Sequence, residues 1–228
     1  MEKYYFSRAS IIANANEVAN WLTENASEYF DSVTVDTATN SSVSSSYPLV
    51  VCKIGETAEL AFCASNPKAS TNGNASNLTT LRITTGNGYQ LKTIGIYSND
   101  EYPFTYTKYA IKTSGGIMLC MSKYFAIFIT KTTAGTTAVY TKWFYYGSSG
   151  MVHSFRTVDL INSRYADTNI YNKVSSSDNT SIAPICFPSS TYSPSLFFTP
   201  YSQYTSVTGI LDIDGTKYVY DGYVALMI

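Results

Sequence analysis

GIMLCMSKYFAIFITKTTAGTTAVYTKW, residues 116–143, is the stretch on which the fold turns. GIMLCM (116–121) is continuously apolar, as a strand covered on both faces would be. YFAIFIT (124–130) and TAVYTKW (137–143) follow as two further strands, flanking a loop at Ala134-Gly135. Three consecutive strands with short turns predict an antiparallel sheet.

Outward from this stretch the same pattern repeats. Tyr106 to Lys112 alternates upstream. LRITT and YQLKTIGIY flank Gly86-Asn87-Gly88, a hairpin signal. Residues 49–54 and 58–63 flank Gly55-Glu56-Thr57; a hairpin centred on Glu56 sets Cys52 opposite Leu60 and keeps Cys63 away from Cys52. At the other end, GILDIDGTKYVYDGYVALMI (209–228) turns at Asp214-Gly215. Gly209–Asp214 and Thr216–Asp221 are expected to pair there, with Tyr223–Ile228 as a further, terminal edge strand. Alternation makes Leu211, Ile213, Val219, Leu226 and Ile228 candidates for its buried face, with Ile210 and Asp212 opposite.

Residues 9–30 form the one convincing helix, with Ser10 as its cap. Ile11, Ala15, Val18, Leu22 and Tyr29 follow the 3.6-residue period, flanked by Ile12, Ala19, Ala26 and Phe30. Asn14, Asn16, Glu17, Asn20 and Glu24 fill the polar face. Such a stripe packs either on its own sheet or on copies of itself. A short strand at Val33-Thr34-Val35 leads into TATNSSVSSS (37–46), read as a polar linker. The fold class expected is therefore mainly β: an antiparallel sandwich or roll preceded by one amphipathic helix. Residues 1–46 make the helix and linker, and 47–228 the β domain. Segments within 145–208, such as YYGSSGM, VSSSDNTS and FPSSTYSPS, are loop chemistry, and VDLINS (158–163) reads equally as strand or helical turn.

Charged residues are only 14% of the chain, against a usual ~25%. The polar surface must then come from Ser, Thr, Asn and the 21 Tyr, a surface that suits life in an assembly. A net charge of -1 gives no electrostatic case for a nucleic acid or an anionic membrane as partner. The N-terminus lacks a secretory signal pattern, and no apolar run approaches membrane-spanning length. Cys52, Cys63, Cys120 and Cys186 are too few for a disulfide framework and read as buried thiols. Five Asn-x-Ser/Thr triplets, at Asn25, Asn40, Asn74, Asn77 and Asn179, are what chance produces in such a composition.

No motif predicts catalysis, a cofactor or a metal. His153 is the sole histidine, with no nucleophile elbow near it. Ser65-Asn66-Pro67-Lys68 matches Ser-x-x-Lys, but Pro67 and its polar neighbours describe a loop. Asp212, Asp214 and Gly215 resemble a calcium-loop fragment, yet Lys217 and Val219 follow where ligands are needed, which leaves a hairpin turn. Glu56, Glu59, Asp159 and Asp212 are the carboxylates from which a glycosidase pair would have to be drawn. The remaining constellation is aromatic. Trp143, Tyr145 and Tyr146, then Tyr192, Tyr201 and Tyr204, are the candidates for a binding surface, since such rings give rigid, amphipathic contact area to sugars or proteins.

The start KYYFSRASII…VANWLTENASEYFDSVTVD and the close GILDIDGTKYVYDGYVALMI resemble virion-associated tail, baseplate or hypothetical structural proteins of bacteriophages and prophages of gut Firmicutes. The likeness covers the first ~35 and last ~20 residues and carries over no functional residue. It implies a β-rich, non-enzymatic structural or host-recognition subunit of a virion, made in the bacterial cytoplasm. A homo-oligomer, a trimer by the resemblance, and other virion proteins are the partners implied, with a cell-surface glycan as a further ligand. The alternatives are a stand-alone carbohydrate-binding β domain and a glycan-active enzyme.

Overall fold

The computed structural model describes residues 2–7, 11–40, 45–64, 79–88, 90–94, 108–122, 125–147, 150–161, 165–166, 173–174, 196–198, 209–213, 215–220 and 224–228. In chain order the first elements are β1 (Lys3–Tyr5), α1 (Ile11–Asn25), β2 (Ser32–Asn40), β3 (Ser45–Ile54), β4 (Ala58–Phe62), β5 (Thr79–Thr84) and β6 (Gln90–Ile94). Then come β7 (Tyr109–Thr113), β8 (Gly116–Ser122), β9 (Phe125–Lys131), β10 (Thr137–Gly147), β11 (Gly150–Asp159), β12 (Tyr165–Ala166) and β13 (Lys173–Val174). The last are β14 (Leu196–Phe198), β15 (Gly209–Ile213), β16 (Thr216–Tyr220) and β17 (Val224–Met227). The protein is mainly β and antiparallel, with one helix among the described residues, near the N-terminus, as the sequence predicts.

The described strands form three sheets. The central one runs β1-β7-β8-β9-β10-β11-β12, with β13 also on β11. The unbroken apolar run of β8 is explained by its position. Ile117, Leu119 and Met121 join one core with Ala110, Ile127, Ile129 and Val139, shared with α1 and the β2–β6 sheet. Met118 and Cys120 lie with Phe128, Ala138 and Tyr140 in a second core, closed by Val219 and Leu226 of the C-terminal sheet. A strand with an apolar layer on each side cannot alternate, because each Cβ meets protein.

The second sheet, β2-β3-β4-β5-β6, is built from consecutive hairpins. Cys52 lies opposite Leu60, the register that the Gly55-Glu56-Thr57 turn predicts, and Thr84 lies opposite Gln90 in the hairpin signalled by Gly86-Asn87-Gly88. Val50, Cys52, Leu60, Phe62, Leu81 and Ile83 face the common core, while Leu49, Val51, Ala61 and Cys63 form a small cluster of their own. The segment read as a polar linker is largely strand: Thr37 to Asn40 pair with Pro48 to Ser45. Its Thr and Ser side chains carry no apolar alternation to announce pairing, and only 41–44 of the interval lie outside the described residues.

Helix α1 buries Ala15, Val18, Ala19, Trp21 and Leu22 in the common core, so its stripe packs on its own chain. It ends at Asn25 rather than at 30, where the Asn25 side-chain amide donates to the Trp21 carbonyl at 2.9 Å. A separate turn follows, in which Tyr29 and Phe30 N–H both donate to the Ala26 carbonyl. Ser10, the expected cap, lies outside the described residues. Asn14 departs from its expected place on the polar face, being only 2% exposed. Its amide donates to the Ser7 carbonyl and its oxygen accepts from the buried Lys108 ammonium, each at 2.8 Å. A buried polar group persists when its hydrogen bonds are met.

Tyr29 is buried beneath Lys131, whose ammonium sits 5.2 Å from the ring centre. Burial, helped by the neighbouring Glu28 carboxylate, pushes its phenol from 10.0 up to about 12. The folded state thus holds this proton more tightly than the unfolded chain does. That contribution is complete below pH 10 and is lost as pH rises through the folded value. Tyr29→Phe, which cannot ionise, is expected to lose stability less steeply than wild type over this window. Urea midpoints measured across it check the difference, and equal slopes would contradict it.

The third sheet runs β14-β17-β16-β15. Its hairpin turns at Gly215, at φ 80°, and pairs Gly209 with Tyr220 through Ile213 with Thr216. Three details differ from expectation. β17 is no edge, since β14 and β16 flank it; Leu196–Phe198 pair with Leu226–Val224. Ile228 is 39% exposed, although Val219 and Leu226 are fully buried as expected. Leu211 and Ile213 pair with Tyr218 and Thr216, one position out of phase with Val219. Ile210 pairs with Val219 but stands 61% exposed on the edge strand.

The reading of YYGSSGM as a long loop is corrected as well. β10 runs on to Gly147, which pairs with Gly150 across a two-residue connection. VDLINS divides, as strand to Asp159 and a turn at Leu160-Ile161. The Leu160 carbonyl accepts from Gly86 N–H at 2.8 Å, tying the first two sheets together. Cys52, Cys63 and Cys120 are buried as thiols rather than disulfides, and Cys186 lies outside the described residues. Burial, and secondarily the Glu59 carboxylate, pushes the Cys52 thiol well up, away from thiolate chemistry. No helix among the described residues is long and apolar enough to cross a membrane.

Candidate functional site

Of the aromatic residues expected to form a surface, Trp143, Tyr145 and Tyr146 lie together on β10. Trp143 pairs with Phe125 of β9 and Ser154 of β11; Tyr145 and Tyr146 pair with Val152 and Met151. Among the described residues, the end of β10 beyond Trp143 pairs with β11 alone. Tyr192, Tyr201 and Tyr204 lie outside the described residues.

A second aromatic group, missed in the sequence, assembles at the other end of the central sheet. β1 pairs with β7, setting Tyr4 opposite Ala110 and Tyr5 opposite Tyr109. Successive residues of a strand face opposite ways. Tyr4 accordingly joins Phe6 and Trp21 on the helix side, with ring centres 5.2 Å and 6.1 Å away. Phe6 and Trp21 meet edge to face at 6.2 Å. Tyr5 meets Tyr109 on the other side at 6.0 Å, and the Lys3 ammonium lies 4.7 Å from the Tyr109 ring. Phe6, Trp21 and Tyr109 are buried, whereas Tyr4 is 43% and Tyr5 57% exposed. Each pair of this kind adds ~0.5–1.5 kcal/mol beyond its buried area, so the buried rings hold the exposed ones in place.

Glu17 fixes the exit of the strand. Its carboxylate accepts from the Ser7 N–H at 2.9 Å, from the Ser7 hydroxyl, and from the Tyr4 hydroxyl at 3.3 Å. Desolvation and the Glu17 charge both raise the Tyr4 phenol, which stays protonated as a donor. The group combines aromatic area, a polar phenol tip held by Glu17 and a cation over a ring. The only local signal for it was Lys3-Tyr4-Tyr5-Phe6 itself, and the partners Trp21 and Tyr109 come from distant segments.

The other chemical candidates that are described lie on different elements. Glu59 is bound to Arg82 at 2.6 Å, and Asp212 accepts from Gly215 N–H at 3.0 Å, within the expected hairpin turn. Glu56 is exposed at the β3–β4 turn. Asp159 and His153 lie on β11, opposite Ala138 and Phe144. Ser65 to Lys68 lie outside the described residues. Among the described residues no three His, Cys, Asp or Glu side chains gather as metal ligands. Comparison of the chain with protein-family models, curated proteins and solved structures gives no match.

Proposed function

We propose that this chain is a non-enzymatic structural or host-recognition subunit of a bacteriophage or prophage particle, placed in its tail or baseplate. The observation that carries the reading is the aromatic edge at β1, with Tyr4 and Tyr5 exposed on a layered, weakly charged β frame. Tyrosines anchored by buried rings form contacts at little entropic cost. A surface poor in charge is suited to being covered by neighbours. Particles purified by density gradient from a producing culture are expected to contain the protein in stoichiometric amounts by mass spectrometry. Its recovery only in the non-sedimenting fraction would overturn the assignment.

The same exposed rings favour one second reading, a carbohydrate-binding domain acting outside a virion, because tyrosine faces stack on sugars. Titration with cell-surface glycans separates the two. Binding lost in Tyr4→Ala or Tyr5→Ala while the melt stays cooperative, in a protein absent from particles, would favour the second. Glycan turnover by the purified protein would refute the non-enzymatic part of both.

A further inference from the structure

The outer edge of β1 has a defined hydrogen-bonding phase. Phe6 N–H donates to the Lys108 carbonyl at 3.0 Å, so Phe6 and Lys108 form a hydrogen-bonded pair of the β1–β7 ladder. In an antiparallel ladder such pairs alternate with pairs whose N–H and C=O point away. Tyr4 and Ala110 are then the next bonded pair, and the backbone groups of Lys3 and Tyr5 point outward. Among the described residues no strand pairs with that edge. An exposed edge of this kind is a template for another strand.

We propose that this edge pairs with the same edge of a second copy, antiparallel across a two-fold axis through Tyr4. The phase requires residues 3 and 5 to meet residues 3 and 5 of the partner. A register centred on Lys3 sets two ammonium groups opposite each other, which repels. One centred on Tyr5 leaves Lys3 facing the end of the strand. The register centred on Tyr4 overlaps all of Lys3–Tyr5 and places each Lys3 opposite a partner Tyr5, cation beside aromatic ring on one face. The chain is complementary to itself there, and a net charge of -1 opposes association little. The contact joins two central sheets into one and is closed at two copies. It is independent of the particle reading, and either can fail alone.

Tyr5→Pro tests it selectively. The Tyr5 N–H points outward, so proline removes a donor from the contact while sparing the β1–β7 ladder. Wild type at tens of micromolar is expected to sediment at twice the 25.1 kDa of the chain, and Tyr5→Pro at the mass of one chain with a melt that stays cooperative, lowered by no more than the lost Tyr5–Tyr109 ring pair accounts for. The register has its own measurement. Directly opposed, non-bonded residues lie ~4.5 Å apart at Cα, within disulfide reach. In a Cys186→Ser background, Tyr4→Cys is expected to cross-link with itself under mild oxidation, and Lys3→Cys is not. A monomeric wild type, a dimer that survives Tyr5→Pro, or cross-linking at Lys3→Cys in place of Tyr4→Cys would each overturn the proposal.

Discussion

Deletion of residues 223–228 is expected to leave a chain without a cooperative melt. The segment contains β17, which pairs on one side with β16 and on the other with β14. Its loss therefore breaks two ladders at once and separates Leu196–Phe198 from the rest of the sheet. Leu226 is fully buried against Val219 and the Met118 and Phe128 face of the central sheet. Removing a buried leucine side chain alone costs ~2–5 kcal/mol. The Thr113 hydroxyl also loses the nearer of its two acceptors, the Met227 carbonyl at 2.7 Å, and keeps the Gly116 carbonyl at 3.3 Å. With the ladders added, the total reaches the ~5–15 kcal/mol by which a whole domain is stable. Calorimetry and near-ultraviolet dichroism check this. Ile228→Ser is the control: that side chain is 39% exposed, its backbone N–H still reaches Lys217, and its melt should stay close to the parent's. A truncated chain melting like wild type would mean that the C-terminal sheet does not support the central one.

Gly116→Ala is expected to be strongly destabilising, although it only replaces a hydrogen by a methyl. Gly116 opens β8 at φ 150°, and a Cβ there would lie 2.2 Å from the Ile129 carbonyl oxygen and 3.3 Å from Leu226 Cδ1. The first obstacle is backbone of β9, held between β8 and β10, and no rotamer change relieves it. Moving it disturbs both cores, because Ile129 and Phe128 lie on opposite sides of that strand. Severe steric strain of this type costs ~3 kcal/mol or more. For a chain of this size that lowers Tm by roughly 6–12 °C. Gly135→Ala provides the comparison, since its φ of 80° is strained but nothing lies within 4 Å of the added carbon. It should cost only ~1 kcal/mol. Equal effects of the two changes would place the cost in the dihedral angle and exonerate the contact with Ile129.

What was legible in the sequence is what local chemistry determines. The doubly covered strand at 116–121 and the hairpins at Gly55, Gly86-Asn87-Gly88 and Gly215 follow from apolar runs and from turn residues that accept positive φ. The errors cluster where a distant segment decides. The second half of β2 is polar and is strand only because β3 pairs with it. β17 is internal because Leu196–Phe198 closes over it, across residues with no shared local pattern. Asn14 belongs by type on a helix surface, and is buried because Lys108, 94 positions away, meets its oxygen. The aromatic edge shares this origin. Lys3-Tyr4-Tyr5-Phe6 names the exposed rings, but Trp21 and Tyr109, which hold them, are chosen by the tertiary fold.

The pairing of β1 with β7 also sets an order of events during folding. From β7 to β11 each strand pairs with the next, so the sheet can zip through short hairpin closures. Tyr5 and Tyr109 are 104 positions apart (109 − 5), with the whole second sheet lying between them in the chain. Closing a loop of that length instead of a four-residue turn costs ~3 kcal/mol more in chain entropy. β1 therefore docks late, onto a sheet already formed, and is the first part to detach when the molecule breathes. The amides of residues 4 and 6 should exchange with solvent far sooner than those of β8 and β9, at a rate set by this local opening. Because its phase exists only once β7 is in place, a half-folded chain carries no ordered β1 edge, and the surface at Lys3–Tyr5 is a property of finished molecules alone.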